Sequence, residues 1–304
     1  MGKKSQLEIN GLKLDVSNLD KVFYPETGFT KGQVIDFYIK ISPYLLPHLK
    51  DRPISLKRYP DGVDGFFFYE KQCPPHRPDW VKTTNVPRKD GSEINYCVMN
   101  DLPALVWAAN LADLELHTFL HRAPAIDRPL VLAFDLDPGA PADIVQCCQV
   151  AIWLKGLLGQ LKLESFPKTS GSKGLQVFVP LNTAVTYENT KAFAHAIAQS
   201  LEKEFPKLVV SNMQKSLRGG KVLVDWSQND PHKTTVCVYS LRAKEHPTVS
   251  TPVTWDEVAA ALKKKNAKFL TFEAGEVLKR VEKEGDLFAP VLKLKQKLPA
   301  VKTL

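Results

Sequence analysis

A chain of 304 residues, 44% hydrophobic and 24% charged, has the composition of an ordinary globular protein and room for one large domain or two joined lobes. No stretch has the uninterrupted apolar length of a membrane span, and Met1-Gly2-Lys3-Lys4-Ser5 leads into polar sequence with no secretory apolar core. The formal charge of +8 fits a polyanionic partner and equally a merely basic soluble protein, while five cysteines without a CxxC pair support neither a disulfide framework nor a zinc ribbon and point to a reducing interior.

In chain order, residues 12–16 alternate as a short strand, and Thr30 stands as the N-cap of a helix over 31–49, with Val34, Phe37, Tyr38, Ile41 and Leu45 at helical spacing. Residues 53–60 read as a strand between prolines, Asp61-Gly62 as a turn, and 65–71 as a second strand rich in aromatics. The proline-rich stretch 73–90 reads as a loop, 95–99 as a strand, and Asp101 as the cap of a helix through 111. Residues 115–117 form a short strand, with irregular chain to 128. Beyond it come a strand ending in Asp135 and Asp137, a helix over 141–158, a strand over 174–181 and a helix over 187–205. A strand ending at Asp225, another over 235–239 and an amphipathic helix over 255–266 follow. This alternation argues for α/β layers. Residues 293–304, with four lysines and no acid, read as a mobile basic tail beyond a single region of two closely packed lobes over 1–292.

The chemistry concentrates at strand ends. Val131-Leu132-Ala133-Phe134 is an apolar strand that runs into Asp135-Leu136-Asp137-Pro138-Gly139. Residues two apart on a strand share a face, so Asp135 and Asp137 project together. Two such carboxylates repel unless a cation lies between them, and hard divalent ions favour oxygen ligands. The plainer reading is that Asp135 caps a turn and Asp137 merely precedes a proline. Val222-Leu223-Val224-Asp225 supplies a third acid, which completes a two-metal set only if the two strands are neighbours. Thr169-Ser170-Gly171-Ser172-Lys173-Gly174 offers hydroxyls, a lysine and close backbone approach, a composition shared by phosphate cradles and ordinary Gly-Ser turns, without Walker spacing. Among Phe66, Phe67, Phe68 and Tyr69 about half face outward, where an aromatic beside Lys71, Lys57 and Arg58 can stack on a base. His117 taken alone reads as a structural histidine.

These segments, with Asp20-Lys21-Val22-Phe23-Tyr24-Pro25, Lys57-Arg58-Tyr59-Pro60-Asp61-Gly62-Val63-Asp64, Lys215-Ser216-Leu217-Arg218, Asp225-Trp226-Ser227-Gln228-Asn229 and Tyr239-Ser240-Leu241-Arg242, resemble the archaeo-eukaryotic primase superfamily. Within it the polymerase domain of bacterial ligase D and its stand-alone relatives are most similar, in order from about residue 10 to 288. The resemblance implies an α/β (α+β) core of mixed β-sheets flanked by helices. It implies a primase-polymerase that extends or fills gaps at DNA ends in non-homologous end joining, with a preference for ribonucleoside triphosphates. It places two divalent ions, manganese or magnesium, on Asp135, Asp137 and Asp225. Nucleotide contacts fall on Lys57, Phe68, Tyr69, His117, Ser170, Ser172, Lys173, Gln228 and Arg242, and the 5′-phosphate of a broken end on Lys21 and Lys31. Arg58, Lys71 and Arg218 fall near template or primer. Partners implied are gapped, overhanging or bridged DNA ends, separately encoded ligase, end-processing nuclease and Ku, with cytoplasmic, nucleoid-associated placement and no membrane. Where the family motif continues Gly-Leu-His, this chain has Gly174-Leu175-Gln176. A replicative or mobile-element primase is the near alternative. A phosphatase of the haloacid-dehalogenase type, which also carries an Asp-x-Asp at a strand end, is the distant one.

Overall fold

The computed structural model describes residues 4–299. It divides into two compact units, the first from Met1–Pro124, Thr234–Ser250 and Phe272–Gly285, the second from Ala125–Lys233, Thr251–Thr271 and Asp286–Leu304.

The first unit is built on a six-stranded sheet in the order Thr235–Val236, Asp113–Thr118, Pro53–Arg58, Glu93–Val98 and Lys82–Pro87, with Phe68–Glu70 paired to Pro53–Arg58. Its long helix, Lys31–Leu49, starts where the sequence places it: the Thr30 hydroxyl accepts from the Gln33 N–H, and the Gln33 side chain accepts from the Thr30 N–H. Val34, Phe37, Tyr38, Ile41 and Leu45 are all buried on that helix. Asp113–Thr118 is buried at every position, which removes the polar alternation by which strands are recognised. Lys82–Pro87 is a strand within the stretch expected to be loop, because its Val86 packs on Tyr96 and Phe119. The disulfide between Cys73 and Cys97 corrects the expectation from cysteine spacing: the partners lie 24 residues apart and meet because the Cys73 N–H donates to the Asn95 carbonyl beside Cys97. Cys147, Cys148 and Cys237 are buried free thiols.

The second unit carries a five-stranded sheet in the order Phe166–Thr169, Leu175–Pro180, Val131–Pro138, Val222–Asp225 and Val209–Val210. Three of its four strand pairs are antiparallel and the last is parallel, so the sheet is mixed. Helices Ile144–Gln160 and Tyr187–Glu204 contact the central strand Val131–Pro138.

Asn229 locks the turn after Val222–Asp225 onto that central strand. Its side-chain oxygen accepts from the Ala133 N–H at 2.9 Å and its amide donates to the Ala133 carbonyl at 2.7 Å, so one buried side chain stands in for a missing strand partner. Asn229→Ala strands both backbone groups and is expected to lower stability by about 2–4 kcal/mol, read as a shift in the urea midpoint with unchanged slope.

The basic segment after helix Pro290–Lys293 is tied down where it was expected to be mobile. The Gln296 N–H donates to Leu181 O, and its side chain bonds Glu164 O, Pro180 O and the Glu164 N–H. Residues 300–304 of that tail lie outside the described residues.

Candidate functional site

In the second unit, antiparallel pairing places Asp135 directly opposite Asp225 on adjacent strands, with Asp137 two residues along the same face. Opposed residues of an antiparallel pair direct their side chains to one side of the sheet, so three acids from distant parts of the chain share one patch. Gly139 and Gly174 allow the loops at the end of this strand to close over it. A Cβ on Gly139 would collide with the Arg218 carbonyl, and one on Gly174 with the Leu136 carbonyl.

The electrostatics are strained by design of the register. Asp135 is only partly exposed and its Oδ1 is sealed from solvent with no hydrogen-bond partner. Burial, then the charges of Asp137 and Asp225, push its carboxyl up to about 7. Asp225 is oriented by its own turn: Oδ1 accepts from the Ser227 N–H at 2.8 Å and the Ser227 hydroxyl at 2.6 Å, and Oδ2 accepts from the Gln228 amide at 3.0 Å. Gln228 therefore reaches the acid patch. Among the described residues no three His, Cys, Asp or Glu side chains form a ready metal cage. The acids share a face with an unpaired buried oxygen, a donor set that fits hard divalent cations when substrate oxygens complete the shell.

The loop Thr169–Gly174 lies beside this patch, since Leu136 pairs with Leu175. The Ser170 Oγ accepts from the Ser172 and Gly174 N–H groups, at 3.2 and 3.1 Å, so this hydroxyl shapes the loop, while Ser172 and Lys173 are exposed. Arg218 is partly buried and donates to the Met213 carbonyl at 2.6 Å.

In the first unit, Lys57 and Arg58 leave one strand on opposite faces. The Lys57 Nζ lies 4.7 Å from the Phe67 ring centroid and 5.5 Å from that of Tyr69, and the Arg58 guanidinium 5.2 Å from that of Phe68. Phe66 stacks on Phe68, and Phe66, Phe67 and Tyr69 are exposed. Lys71 is exposed beside them.

Glu115, one residue of a short buried strand that no motif singles out, organises this region. Its buried carboxylate faces Lys57 at 3.5 Å, Arg242 at 3.3 Å and His117 at 3.0 Å. Burial opposes its charge, but the His117 hydrogen bond and the Arg242 and Lys57 cations outweigh it and hold the carboxyl well below its ordinary range. Burial holds His117 below the usual histidine range, so a neutral ring donates to Glu115. An acid between two leucines carries no periodic signal; only the surrounding cations disclose it.

Lys21 and Lys31 are brought together by a backbone bond from the Lys31 N–H to Lys21 O. The Lys21 Nζ pairs with Asp61 at 2.7 Å and the Lys31 Nζ donates to Ser17 O at 2.7 Å. Burial, and next the charge of Lys21, lower the Lys31 ammonium to about 8.

Residues 30–288 match the family model described as LigD, primase-polymerase domain. The chain is 42% identical over 281 residues to the multifunctional non-homologous end joining protein LigD of Mycolicibacterium smegmatis, covering 92% of this chain and 36% of that protein. It is 35% identical over 274 residues to the bifunctional non-homologous end joining protein LigD of Bacillus subtilis, covering 90% of this chain and 43% of that protein. The chain thus spans less than half the length of these relatives. The polymerase domain of Mycobacterium tuberculosis ligase D in complex with DNA superposes with a TM-score of 0.86 at 37% identity, over 93% of this chain and 99% of that one.

Proposed function

Because this chain belongs to the LigD primase-polymerase family, and is a nucleotidyltransferase of that type, we propose that it extends and fills DNA ends in double-strand break repair by non-homologous end joining, with ribonucleoside triphosphates preferred. The observation that supports this best is the opposed pair Asp135 and Asp225, with Asp137 on the same face and the Thr169–Gly174 loop alongside.

Asp135, Asp137 and Asp225 would hold two divalent ions, manganese or magnesium. When bound, such ions lower the pKa of a primer 3′-hydroxyl and neutralise the departing pyrophosphate. The chain's own groups do the positioning. Ser227 and Gln228 fix the direction of the Asp225 carboxylate. Ser170 holds the loop so that Ser172 and Lys173 meet phosphate oxygens, with Lys57 and Arg242 as further nucleotide-binding cations. Tyr69 and Phe68 supply flat faces for bases, His117 a neutral ring that burial keeps from competing as a cation, and Arg58, Lys71 and Arg218 contacts to template or primer. No protein nucleophile is needed.

Among the described residues no helix is long and apolar enough to cross a membrane. Ligase, end-processing nuclease and Ku are the proposed partners, in the cytoplasm at the nucleoid.

Extension of a gapped DNA bearing a 5′-phosphate, with ribo- or deoxyribonucleotides and magnesium or manganese, tests the proposal. Labelled nucleotide joined to the primer, more with ribonucleotides, is expected. Release of free phosphate without incorporation would sink it.

Lys21 and Lys31 are proposed to bind the 5′-phosphate of the downstream end, and this carries a pH signature. With its ammonium at about 8, Lys31 is charged at pH 7 and neutral at pH 9 in the free protein. Affinity for 5′-phosphate gaps is expected to fall across that interval more steeply than for 5′-hydroxyl gaps, and Lys31→Met to abolish the difference. Parallel pH curves in fluorescence anisotropy, wild type on both substrates, would remove Lys31 from the pocket.

A further inference from the structure

A cross-strand row runs over four neighbouring strands of the second unit: Lys168 pairs with Gln176, Gln176 with Asp135, and Asp135 with Asp225. Lys168 is 1% exposed and Gln176 is 3% exposed. The Lys168 Nζ donates to the Gln176 Oε1 at 2.5 Å, and the Gln176 side chain hydrogen-bonds the Asp135 carboxylate. The Lys168 Nζ also lies 5.4 Å from the centroid of the Phe178 ring.

A glutamine amide can be turned either way, and its two ends are opposite in character. An ammonium has donors only, so a lysine at one end admits only the amide oxygen there and turns the NH2 group to the other end. Burying a lysine is costly, and a Met of similar length would fill the same space without that cost. What the charged group adds is direction. We propose that Lys168 is a positioning residue: through Gln176 it holds the Asp135 carboxylate in the orientation that receives a divalent cation. The Gln that departs from the family motif thus works as one half of a Lys–Gln pair. The inference rests on the reading of Asp135 as a cation ligand.

Mn2+ binding to the full chain, titrated by electron paramagnetic resonance without nucleotide, tests it on wild type, Lys168→Met, Lys168→Arg, Gln176→Met and the double Lys168→Met/Gln176→Met, with thermal melting as the check on folding. Each Met variant is expected to weaken Mn2+ binding roughly 10–100-fold, and Lys168→Arg, which keeps donors and charge, to stay close to wild type. If Lys168 acts through Gln176, the double variant loses no more than Gln176→Met alone. A folded Lys168→Met that binds Mn2+ like wild type, or losses that multiply in the double variant, overturns the proposal. Should Lys168→Met not fold, unchanged affinity in Gln176→Met does the same. Wild type that binds no Mn2+ either alone or with a non-hydrolysable ribonucleoside triphosphate overturns the acid-patch reading and this inference together; where binding needs the triphosphate the same series is read with it present, and intact wild-type binding with indifferent variants overturns the inference alone.

Discussion

Replacing Asp135 by asparagine is expected to cut nucleotide incorporation at least about 1,000-fold, equivalent to ~4 kcal/mol of transition-state stabilisation, while making the cation-free protein more stable. The two effects share one cause. In the folded protein, burial and then the charges of Asp137 and Asp225 push the Asp135 carboxyl up to about 7, whereas an unfolded chain ionises it near the ordinary value of 3.8. A carboxyl raised on folding binds more protons in the native state, so stability falls as pH rises from about 4 to 7. At neutral pH the acid patch therefore costs stability, by an amount on the order of a few kcal/mol. Asparagine removes that cost and also removes the proposed cation ligand. The expected record is a higher melting temperature at pH 7.5 without metal, smaller melting-point gain on adding Mn2+, unchanged binding to gapped DNA and no extension. Wild-type extension by Asp135→Asn would exclude Asp135 from catalysis, and a melting point that does not rise would refute the stored repulsion.

Glu115→Gln is expected to be the most damaging single change in the first unit. Glu115 is the carboxylate between Lys57, Arg242 and His117, with side-chain exposure of 2%, and its Oε1 also accepts from the Ala243 N–H at 3.0 Å. Removing one partner of a buried charge set leaves the others uncompensated and typically costs about 3–5 kcal/mol. The sign with pH follows from the direction of the shift. A carboxyl held below its unfolded value stabilises the fold above the ordinary glutamate range and loses that contribution as pH falls toward its folded value. Wild type should thus destabilise on acidification below about pH 4.5, and Glu115→Gln should show a weaker slope from an already lower starting point. Urea titrations of both proteins across pH 3–7 measure this. Equal slopes would mean that Glu115 is not the stabilising acid.

The parts of this fold legible in the sequence are those with a local signature. Thr30 with Gln33 forms a capping box, and the helix behind it starts at Lys31 as the apolar spacing requires. Apolar strands ending in Asp137 and Asp225 are read from composition alone; that they are neighbours is a matter of pairing, which leaves no trace in either segment. Where local signature fails, the residues explain why. Asp113–Thr118 is buried throughout, so it lacks alternation. Lys82–Pro87 ends in a proline and is mostly polar, and only the packing of Val86 on Tyr96 and Phe119 makes it part of the sheet. Cys73 and Cys97 meet across a separation of 24 residues, which spacing rules do not see. Lys168 and Glu115 carry no local signature, and their meaning lies in residues elsewhere along the chain, in Gln176 and in Arg242 and Lys57.

The most direct test is where manganese binds. Anomalous diffraction from crystals of this protein grown with Mn2+ and a non-hydrolysable ribonucleoside triphosphate should give two peaks against the carboxylates of Asp135, Asp137 and Asp225, with triphosphate oxygens filling the remaining positions. Anomalous density that avoids this face, or triphosphate bound there without a cation, would contradict the account.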